Sequence, residues 1–311
     1  MKENPRPVSR QQPGHSKPLA RKPEMRRQGA AALLRFEAVD VREFLGLQST
    51  HNPHRWVLPV VPSISTRGNF LFGGCGLAAA VAAMEATTGR QLIWATAQYL
   101  SYANPPSFLD IDVLLPVSGR HTTQARAIGH VDAREILTVN AALGDREFPL
   151  EGQWPTMPTV PPPLDCPLAP TWPGASDRID TRFEIRVARG NPMRDGRPST
   201  DGRSVLWIRL PEGLDVCSGA LAICADWMPS GIGQALGRWA GGNSLDNTIR
   251  VVRPVPTEWV LCDVRIHAVQ RGFAHGLIHL WSQDGVLMAT GSQSAIVRVF
   301  DPETLKLVKR G

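Results

Sequence analysis

Cysteine and histidine are the first side chains in this 311-residue sequence that suggest chemistry. Cys75 directly follows Gly73-Gly74 at the predicted start of a helix, where a thiolate nucleophile would be favoured. No histidine base lies near it in the sequence, so we interpret Cys75 as a packing residue. His275 and His279 would share one face of a strand, but no third ligand has the spacing to complete a metal site. We therefore expect neither a covalent cysteine mechanism nor a bound metal.

Common catalytic and nucleotide-binding motifs are missing from the sequence. It has no GxSxG elbow, which counts against an α/β-hydrolase, and no Walker A loop or dinucleotide fingerprint. Asp226 is a further candidate, because it follows the apolar run Ala-Ile-Cys-Ala and precedes Trp227. A buried aspartate is uncommon without a partner. Asp226 is therefore a functional carboxylate, a satisfied core residue or part of an exposed face.

The elements that would position these residues occur in the same order twice. The first set has a helix over 75–88, opened by Gly73-Gly74, and strands over 92–102, 109–115 and 136–143. The second set has a helix capped by Ser218 and ending near Met228, and strands over 245–253, 259–269, 273–281 and 286–300. Asp112-Val113 and Asp263-Val264 recur at an offset of about 150 residues. A helix followed by antiparallel strands, written twice, predicts an α+β fold.

Charge and proline content divide the chain further. The net charge is +6, but residues 1–35 hold nine basic and two acidic residues, so the remaining 276 residues are almost neutral. We predict that 1–35 form a disordered basic tail, and Met25 is an alternative start to Met1. Nine prolines between 149 and 173 predict a linker without regular structure. The predicted folded parts are 36–148 and 174–311.

Composition also excludes several classes of protein. The longest apolar run, Leu77–Met84, has eight residues, whereas a membrane span needs about 20. No apolar segment follows the basic N-terminus, so we predict no secretory signal peptide. Five cysteines without CxxC spacing fit reduced thiols and predict a cytoplasmic protein. The basic tail lacks interleaved aromatic residues, so we expect no nucleic-acid partner.

Four short stretches together resemble a known family. They are Leu71-Phe72-Gly73-Gly74, Ala225-Asp226-Trp227, Ser244-Leu245-Asp246-Asn247-Thr248 leading to Arg253-Pro254, and Gln283–Thr290 leading to Gln293. In this order they resemble the acyl-CoA thioesterase II group of double hot-dog proteins, over about residues 40–300. The resemblance implies two hot-dog units, each a long helix wrapped by a curved antiparallel sheet.

The resemblance also implies roles for particular residues. Asp226 would be the base that activates water, while Ser244 and Gln293 would orient that water. The family more often has threonine where this sequence has Ser244; the hydroxyl is retained but the rotamer is less restricted. Gly73 and Gly74 would offer backbone amides to the thioester oxygen and allow close approach of the substrate.

Each of these residues also has an ordinary structural explanation. Gln293 could lie on a solvated strand face, Ser244 could be a cap, and Gly73-Gly74 could be only a helix-start turn. The offset between the halves places about Ala142 where Gln293 would be, and the first helix has no acid matching Asp226. The polar set therefore occurs once, which predicts one active site where the halves meet.

The resulting hypothesis is an acyl-CoA thioesterase that needs no cofactor and releases a free acid and CoA. A non-catalytic protein that binds acyl thioesters is one alternative, and a hot-dog hydratase or dehydratase is another. The hydratase would require a histidine near Asp226. Acyl-CoA is the expected partner, and pairing into a homo-oligomer through sheet edges is plausible.

Overall fold

The computed structural model describes residues 39–170, 177–190, 196–211, 213–301, 303 and 306–308. The basic tail predicted for 1–35 lies outside the described residues. Phe36–Gly311 is one compact unit, and all of the elements described below belong to it.

The described residues form one large antiparallel sheet and few helices, in agreement with the predicted α+β content. The helices are α1 (Val41–Leu45), α2 (Gly73–Thr88), α3 (Ser218–Ala225) and α4 (Ser230–Leu236). The strands are β1 (Gln48–Ser49), β2 (Arg55–Val60), β3 (Leu92–Tyr99), β4 (Ser107–Ser118), β5 (Thr122–Val131), β6 (Arg134–Gly144), β7 (Glu184–Arg189), β8 (Arg203–Arg209), β9 (Ala240–Ser244), β10 (Asp246–Val251), β11 (Trp259–Gln270), β12 (Phe273–Trp281) and β13 (Leu287–Val299). Among the described helices, none is long and apolar enough to cross a membrane.

The strand order reads the same way from both edges of the sheet. It runs β1-β2-β4-β5-β6-β3-β10-β13-β12-β11-β8-β7, and β9 pairs with β13 beside this path. Thus β2-β4-β5-β6-β3 is mirrored by β8-β11-β12-β13-β10. At the centre, Thr96 of β3 lies opposite Thr248 of β10, and their hydroxyl oxygens are 2.7 Å apart. The predicted repeat of elements is therefore visible as a repeat of strand order about this central pair.

Helix α2 is the principal buried element of the first half. Its alanine-rich sequence favours a helix, and its residues from Gly74 to Met84 are all buried. It packs against α3 and against strands β3 to β6. Gly89 ends it in a left-handed conformation with φ 65°, donating its N–H to the carbonyl of Glu85. The helix is thus anchored in the core while its N-terminus, at Gly73, is directed towards the second half.

Helix α3 is shorter than the sequence predicts. Ser218 is not its cap; Cys217 is, and its sulfur accepts the N–H of Ala220 at 3.5 Å. The helix ends at Ala225, with Asp226 as its C-cap. The chain then turns through Pro229 into α4, which the sequence reasoning missed. Proline cannot continue a helix from within, because it lacks the amide donor.

Several strands were also missed, although those predicted after each helix are present as β3, β4, β6 and β10 to β13. Strand β2 precedes α2 and strand β8 precedes α3. The predicted order, in which each half begins with a helix, therefore lacked the strands that come before it. Strand β5 alternates, but its inward side chains are small; Gly129, for example, lies under Leu137. Small inward residues give little hydrophobic contrast, which hides such a strand from periodicity.

The described part of the proline-rich segment, 149–170, packs against the second half. It contains a single 3-10 turn at Pro163–Asp165 and neither an α-helix nor a strand. The indole N–H of Trp207 donates to the carbonyl of Pro161 at 3.0 Å. Gln153 accepts the amide of Leu287 at 2.7 Å. This segment covers a separate apolar cluster that contains Trp207, Trp259 and Trp281.

The close approach of α2 and α3 yields a stability prediction for Gly74→Ala. A Cβ atom on Gly74 would lie 2.8 Å from Asp226 Cβ and 3.0 Å from Ile223 Cα, and the latter contact is with backbone. Alanine gains about 1 kcal/mol in helix propensity, but overpacking costs about 1 to 3 kcal/mol. We expect a net loss in the free energy of unfolding, measured by urea denaturation.

Gly241→Ala is the control for this substitution, since a Cβ there meets no atom within 4 Å. It should leave the free energy of unfolding nearly unchanged. Equal stability of Gly74→Ala and the native protein would contradict the close packing of the two helices.

Candidate active site

The carboxylate of Asp226 is the centre of a buried polar cluster. One oxygen, Oδ2, accepts the backbone N–H of Gly74 at 2.6 Å. The other, Oδ1, accepts the side-chain amide of Gln293 at 2.6 Å. Asp226 is only 5% exposed and Gln293 only 3%, so neither lies on a solvated face. The carboxylate therefore connects the end of α3, the start of α2 and strand β13.

Two further side chains reach the same carboxylate at longer range. The Ser244 hydroxyl lies 3.4 Å from Asp226 Oδ1 and 3.5 Å from Gln293 Oε1. The amide nitrogen of Asn247 lies 3.4 Å from Asp226 Oδ1. Ser244 ends strand β9, opposite Ala295 of β13, so the β9–β13 pairing holds it near Gln293. The structure thus brings the three residues Asp226, Ser244 and Gln293 together.

The two glycines take up different positions around Asp226. Gly74 has its amide engaged by the carboxylate, so this donor is directed at Asp226 and not at the open cavity. Gly73, which has no side chain, lets two neighbouring side chains approach its backbone closely. A Cβ atom on Gly73 would lie 2.9 Å from Asp226 Oδ2 and 3.0 Å from the hydroxyl oxygen of Tyr99. We call the place where Gly73, Asp226 and Tyr99 meet the Gly73 notch.

Burial determines the protonation of Asp226. Desolvation raises the pKa of its carboxyl to about 7, while hydrogen bonds from Gln293, Gly74, Ser244 and Asn247 act in the opposite direction. The helix N-terminus at Gly74 supplies a partly positive environment for the anion. Desolvation wins, so the group changes its charge near neutral pH. A carboxylate with this pKa is suited to accept a proton from water.

A large cavity opens beside this cluster. Its volume is about 1150 Å³, and both halves of the sheet contribute to its walls. Its polar wall includes Tyr99, Asp226 and Ser244. The remainder is largely apolar, including Leu71, Phe72, Ile136, Leu137, Phe183 and Trp227. Phe72 and Phe183 pack against Trp227 with ring centroids 5.2 Å and 5.0 Å away. The site is therefore a buried carboxylate at the edge of an apolar pocket.

The other candidates from the sequence lie elsewhere. Cys75 is completely buried, and burial raises the pKa of its thiol, so it packs in the core. His275 contacts the hydroxyl of Ser294 at 3.1 Å, and the ring of His279 packs on Trp281. Within the described part of the chain, no three potential ligands are grouped as a metal site would require.

Sequence reasoning missed two members of the cluster, Tyr99 and Asn247. Asn247 lies in a quoted motif, and it alternates with Ile249 on β10, so its inward position could have been read from the strand pattern. Tyr99 ends strand β3, where no local pattern indicates a neighbour 127 positions further along. The strand register also corrects which residue of the first half corresponds to Gln293. Thr96 pairs with Asn140 and Thr248 pairs with Ser292. The residue that follows Asn140, Ala141, is therefore the counterpart of Gln293, and not Ala142.

Comparison with known protein families gives a match over the second half. The model of the acyl-CoA thioesterase C-terminal domain matches residues 158–297, a range that contains Asp226, Ser244 and Gln293. A comparison with curated proteins gives no match.

Solved structures extend the similarity to most of the chain. A proposed thioesterase from Novosphingobium aromaticivorans is 35% identical, with TM-score 0.73, covering 80% of this chain and 97% of that one. A hot-dog protein of unknown function from Alicyclobacillus acidocaldarius is 21% identical, with TM-score 0.73 and coverages of 84% and 98%. Acyl-CoA thioesterase II TesB2 from Mycobacterium marinum is 19% identical, with TM-score 0.65 and coverages of 83% and 98%. The last two show the fold alone.

The large antiparallel sheet of this chain and its similarity to a solved hot-dog structure together place the protein in the hot-dog class. At 35% identity over nearly the whole of the Novosphingobium protein, and with the family match across its second half, the chain belongs to the acyl-CoA thioesterase II-like family. The family resemblance found in the four sequence stretches is thereby confirmed.

The raised pKa of Asp226 predicts how Asp226→Asn changes stability with pH. An unfolded chain loses this proton near pH 4, whereas the folded protein keeps it up to about pH 7. Between these values the folded state binds more protons, so the native free energy of unfolding falls as pH rises. Asparagine does not titrate, so the variant lacks this pH dependence. The free energy of unfolding of Asp226→Asn, relative to that of the native protein, should therefore rise by about 2 to 3 kcal/mol between pH 5 and pH 8.

Urea denaturation of both proteins at pH 5, 6, 7 and 8 measures this difference. Hydrogen bonds lost in the variant shift all four values together, so only the trend with pH reports the titration. A stability difference that stays constant from pH 5 to pH 8 would contradict the raised pKa.

Proposed function

We propose that the protein hydrolyses acyl-CoA thioesters, with Asp226 as the general base for an attacking water. One observation carries the proposal: the buried carboxylate of Asp226, with a pKa near 7, lies in the wall of a large, mainly apolar cavity. Membership of the thioesterase family supports the same reaction class. The specific roles of the residues rest on their distances from Asp226.

The reaction needs few groups. Water placed against Asp226 loses a proton to the carboxylate as its oxygen adds to the thioester carbonyl carbon. The carbonyl π electrons move onto oxygen and return when the carbon–sulfur bond breaks. The departing thiolate of CoA then takes the proton from Asp226, which regenerates the carboxylate. Atoms and charges balance with water as the only co-reactant.

Gln293 and Ser244 serve as positioning residues in this proposal. The amide of Gln293 holds Asp226 Oδ1 at 2.6 Å, which fixes the carboxylate and leaves the side towards the cavity for water. Ser244 lies within 3.5 Å of both residues and lines the cavity, so its hydroxyl can hold the same water. Gly74 anchors the base, while Gly73 leaves the space where substrate approaches.

The cavity suits the acyl part of the substrate. Its apolar and aromatic walls come from both halves of the sheet, and burying an alkyl chain there gains roughly 0.8 kcal/mol per methylene. We place the acyl chain between the halves, with the thioester at the Gly73 notch and CoA extending outward.

The same proposal includes the architecture. The mirrored strand orders about Thr96 and Thr248 support two hot-dog units, 36–148 and 174–311, each with its own helix and sheet, joined by a linker at 149–173. A tail over 1–35, a cytoplasmic location and assembly into homo-oligomers remain predictions from the sequence.

A protein that binds acyl thioesters without hydrolysing them is the second candidate. The Ser244 hydroxyl is 3.4 Å from Asp226, a longer contact than those from Gly74 and Gln293, which favours weak orientation of water. The hydratase alternative has less support, because no histidine is found among the described residues lining the cavity.

Thiol release separates hydrolysis from binding. The native protein should release free CoA from at least one of a short, a medium and a long acyl-CoA, with a rate that rises through about pH 7 as Asp226 ionises. Asp226→Asn should lower kcat by about 100-fold or more, since general-base catalysis contributes 10²–10⁴-fold.

Asp112→Asn is the matched control for this variant. Asp112 pairs with Arg55 at 2.9 Å on the partly exposed strand β4, away from the cavity, and its loss should leave turnover unchanged. Native activity in Asp226→Asn would remove Asp226 as the base. Binding of all three acyl-CoAs without any thiol release would favour the second candidate.

Gln293→Ala should move the pH dependence as well as lower the rate. Its hydrogen bond lowers the pKa of Asp226 more than any other contact does. Its removal should therefore raise that pKa and move the rising limb of the plot of kcat against pH to higher pH. The plateau kcat should fall by roughly tenfold, because the carboxylate loses an orienting donor. Gln124→Ala, on the exposed side of β5, is the control. An unshifted limb would show that Gln293 does not act through Asp226.

A further inference from the structure

The hydroxyl of Tyr99 is a buried polar group that the proposed mechanism has not used. Within the described part of the chain its oxygen makes no hydrogen bond of good geometry and has almost no solvent contact, although the side chain of Asn247 lies close to it. A buried hydroxyl without a partner costs about 1 to 3 kcal/mol, and such groups in a native structure call for an explanation. Tyr99 also lines the cavity beside Asp226, where substrate would supply the missing partner.

The position of this hydroxyl is fixed from several sides. The backbone N–H of Tyr99 donates to the carbonyl of Leu245 at 3.0 Å, which ties the end of β3 to the segment joining β9 and β10. Its ring lies against Gly73, with the ring carbon Cζ 3.0 Å from the place a Cβ would occupy. The hydroxyl therefore faces the Gly73 notch because residue 73 has no side chain.

Asp226 faces the notch from the other side. Its Oδ2 would be 2.9 Å, and the Tyr99 oxygen 3.0 Å, from a Cβ on Gly73, so the two oxygens are at most about 6 Å apart. Both residues also line the cavity, from which a water could approach the carboxylate and a carbonyl group the phenol. A proton acceptor and a hydrogen-bond donor thus lie near each other at the wall of the cavity.

Tyr99 can act only as a donor in this position. Burial and the nearby carboxylate of Asp226 raise the pKa of its hydroxyl well above the ordinary value, although the amide of Asn247 acts in the opposite direction. The group stays neutral and keeps its proton. Meanwhile the amide of Gly74, which the sequence suggested for the thioester oxygen, is already bound to Asp226.

We propose that Tyr99 is a catalytic residue whose hydroxyl donates a hydrogen bond to the thioester carbonyl oxygen and stabilises the oxyanion formed when water adds. The inference rests on the proposed thioester hydrolysis and assigns it a donor. Tyr99 transfers no proton: negative charge grows on the carbonyl oxygen as Asp226 takes the proton of water, and it leaves with the thiolate.

Tyr99→Phe removes only the hydroxyl and is the principal test. Loss of one oxyanion donor typically lowers kcat by 10²–10³-fold, so we expect a fall of about 100-fold with KM within about threefold of native. The rise of kcat near pH 7 should stay at the same pH, because it follows the ionisation of Asp226. Urea denaturation should show stability equal to or above native, since the removed group makes no hydrogen bond of good geometry.

The chain offers a matched control, because Tyr102 is its other tyrosine. The ring of Tyr102 packs on Phe70 with centroids 4.6 Å apart, and the residue is 46% exposed. Tyr102 lines the same cavity but is not part of the Gly73 notch, so Tyr102→Phe should leave kcat near native. A kcat for Tyr99→Phe within threefold of native would overturn the proposal.

Two CoA analogues distinguish a donor from a packing role. An S-alkyl-CoA thioether has no carbonyl oxygen, so native and Tyr99→Phe should bind it equally in calorimetry. An acyl-CoA trifluoromethyl ketone forms a tetrahedral adduct with water, and Tyr99→Phe should bind it about 100-fold more weakly. Equal losses for both analogues would overturn the proposal and leave Tyr99 as a wall residue.

These measurements also separate this inference from the proposed function. Absence of thiol release from the native protein would defeat the hydrolysis proposal, and unchanged turnover in Asp226→Asn would defeat the assigned base. Selective weakening of the ketone by Tyr99→Phe supports the donor in either case, whereas equal binding of the ketone by the variant and native protein counts against it.

Discussion

The contact between the Asp226 carboxylate and the amide of Gly74, at 2.6 Å, is the interaction on which the rest of the site depends. It joins the end of one buried helix to the start of another. A helix N-terminus has amides that lack partners within the helix, and a buried carboxylate needs donors, so each end satisfies the other. The contact requires glycine at 73 and 74, because Cβ atoms there would meet Asp226 at less than 3 Å. Packing, capping and the proposed chemistry therefore share one constraint.

A symmetric framework supports an asymmetric site. Thr96 and Thr248 are 152 residues apart and meet at the centre of the sheet. Gly74 lies at the start of α2 in the first half, whereas Asp226 lies at the end of α3 in the second, so their contact joins positions that are not equivalent in the two halves. One copy supplies a carboxylate and the other an amide with no side chain in the way. Similarly, the counterpart of Gln293 is the buried Ala141. The halves thus provide complementary parts of one site.

Much of this organisation could be predicted from the sequence, but local patterns had limits. The strands after each helix follow from alternation, and the single occurrence of Asp226, Ser244 and Gln293 follows from comparing the repeats. The start of α3 was misassigned, because Cys217 takes the capping position that serine normally holds, and the end of the helix at Ala225 was missed. Strand β5 was hidden by its small inward residues. Tyr99 could not be found, since its role depends on a strand end meeting Gly73 across the fold, and no periodicity encodes that contact.

The site concentrates groups that a stability-driven sequence would avoid. A desolvated carboxylate, the hydroxyl of Tyr99 and the carbonyl oxygen of Asn247 lie together, and the last two lack partners among the described residues. Each is individually destabilising by about 1 to 3 kcal/mol, which is large against a typical total of 5 to 15 kcal/mol. Apolar residues of similar volume would relieve that burden. Natural sequences retain such groups where function needs them. A ligand with a polarised carbonyl beside an apolar group would give the Tyr99 hydroxyl an acceptor and would place its apolar part in the cavity.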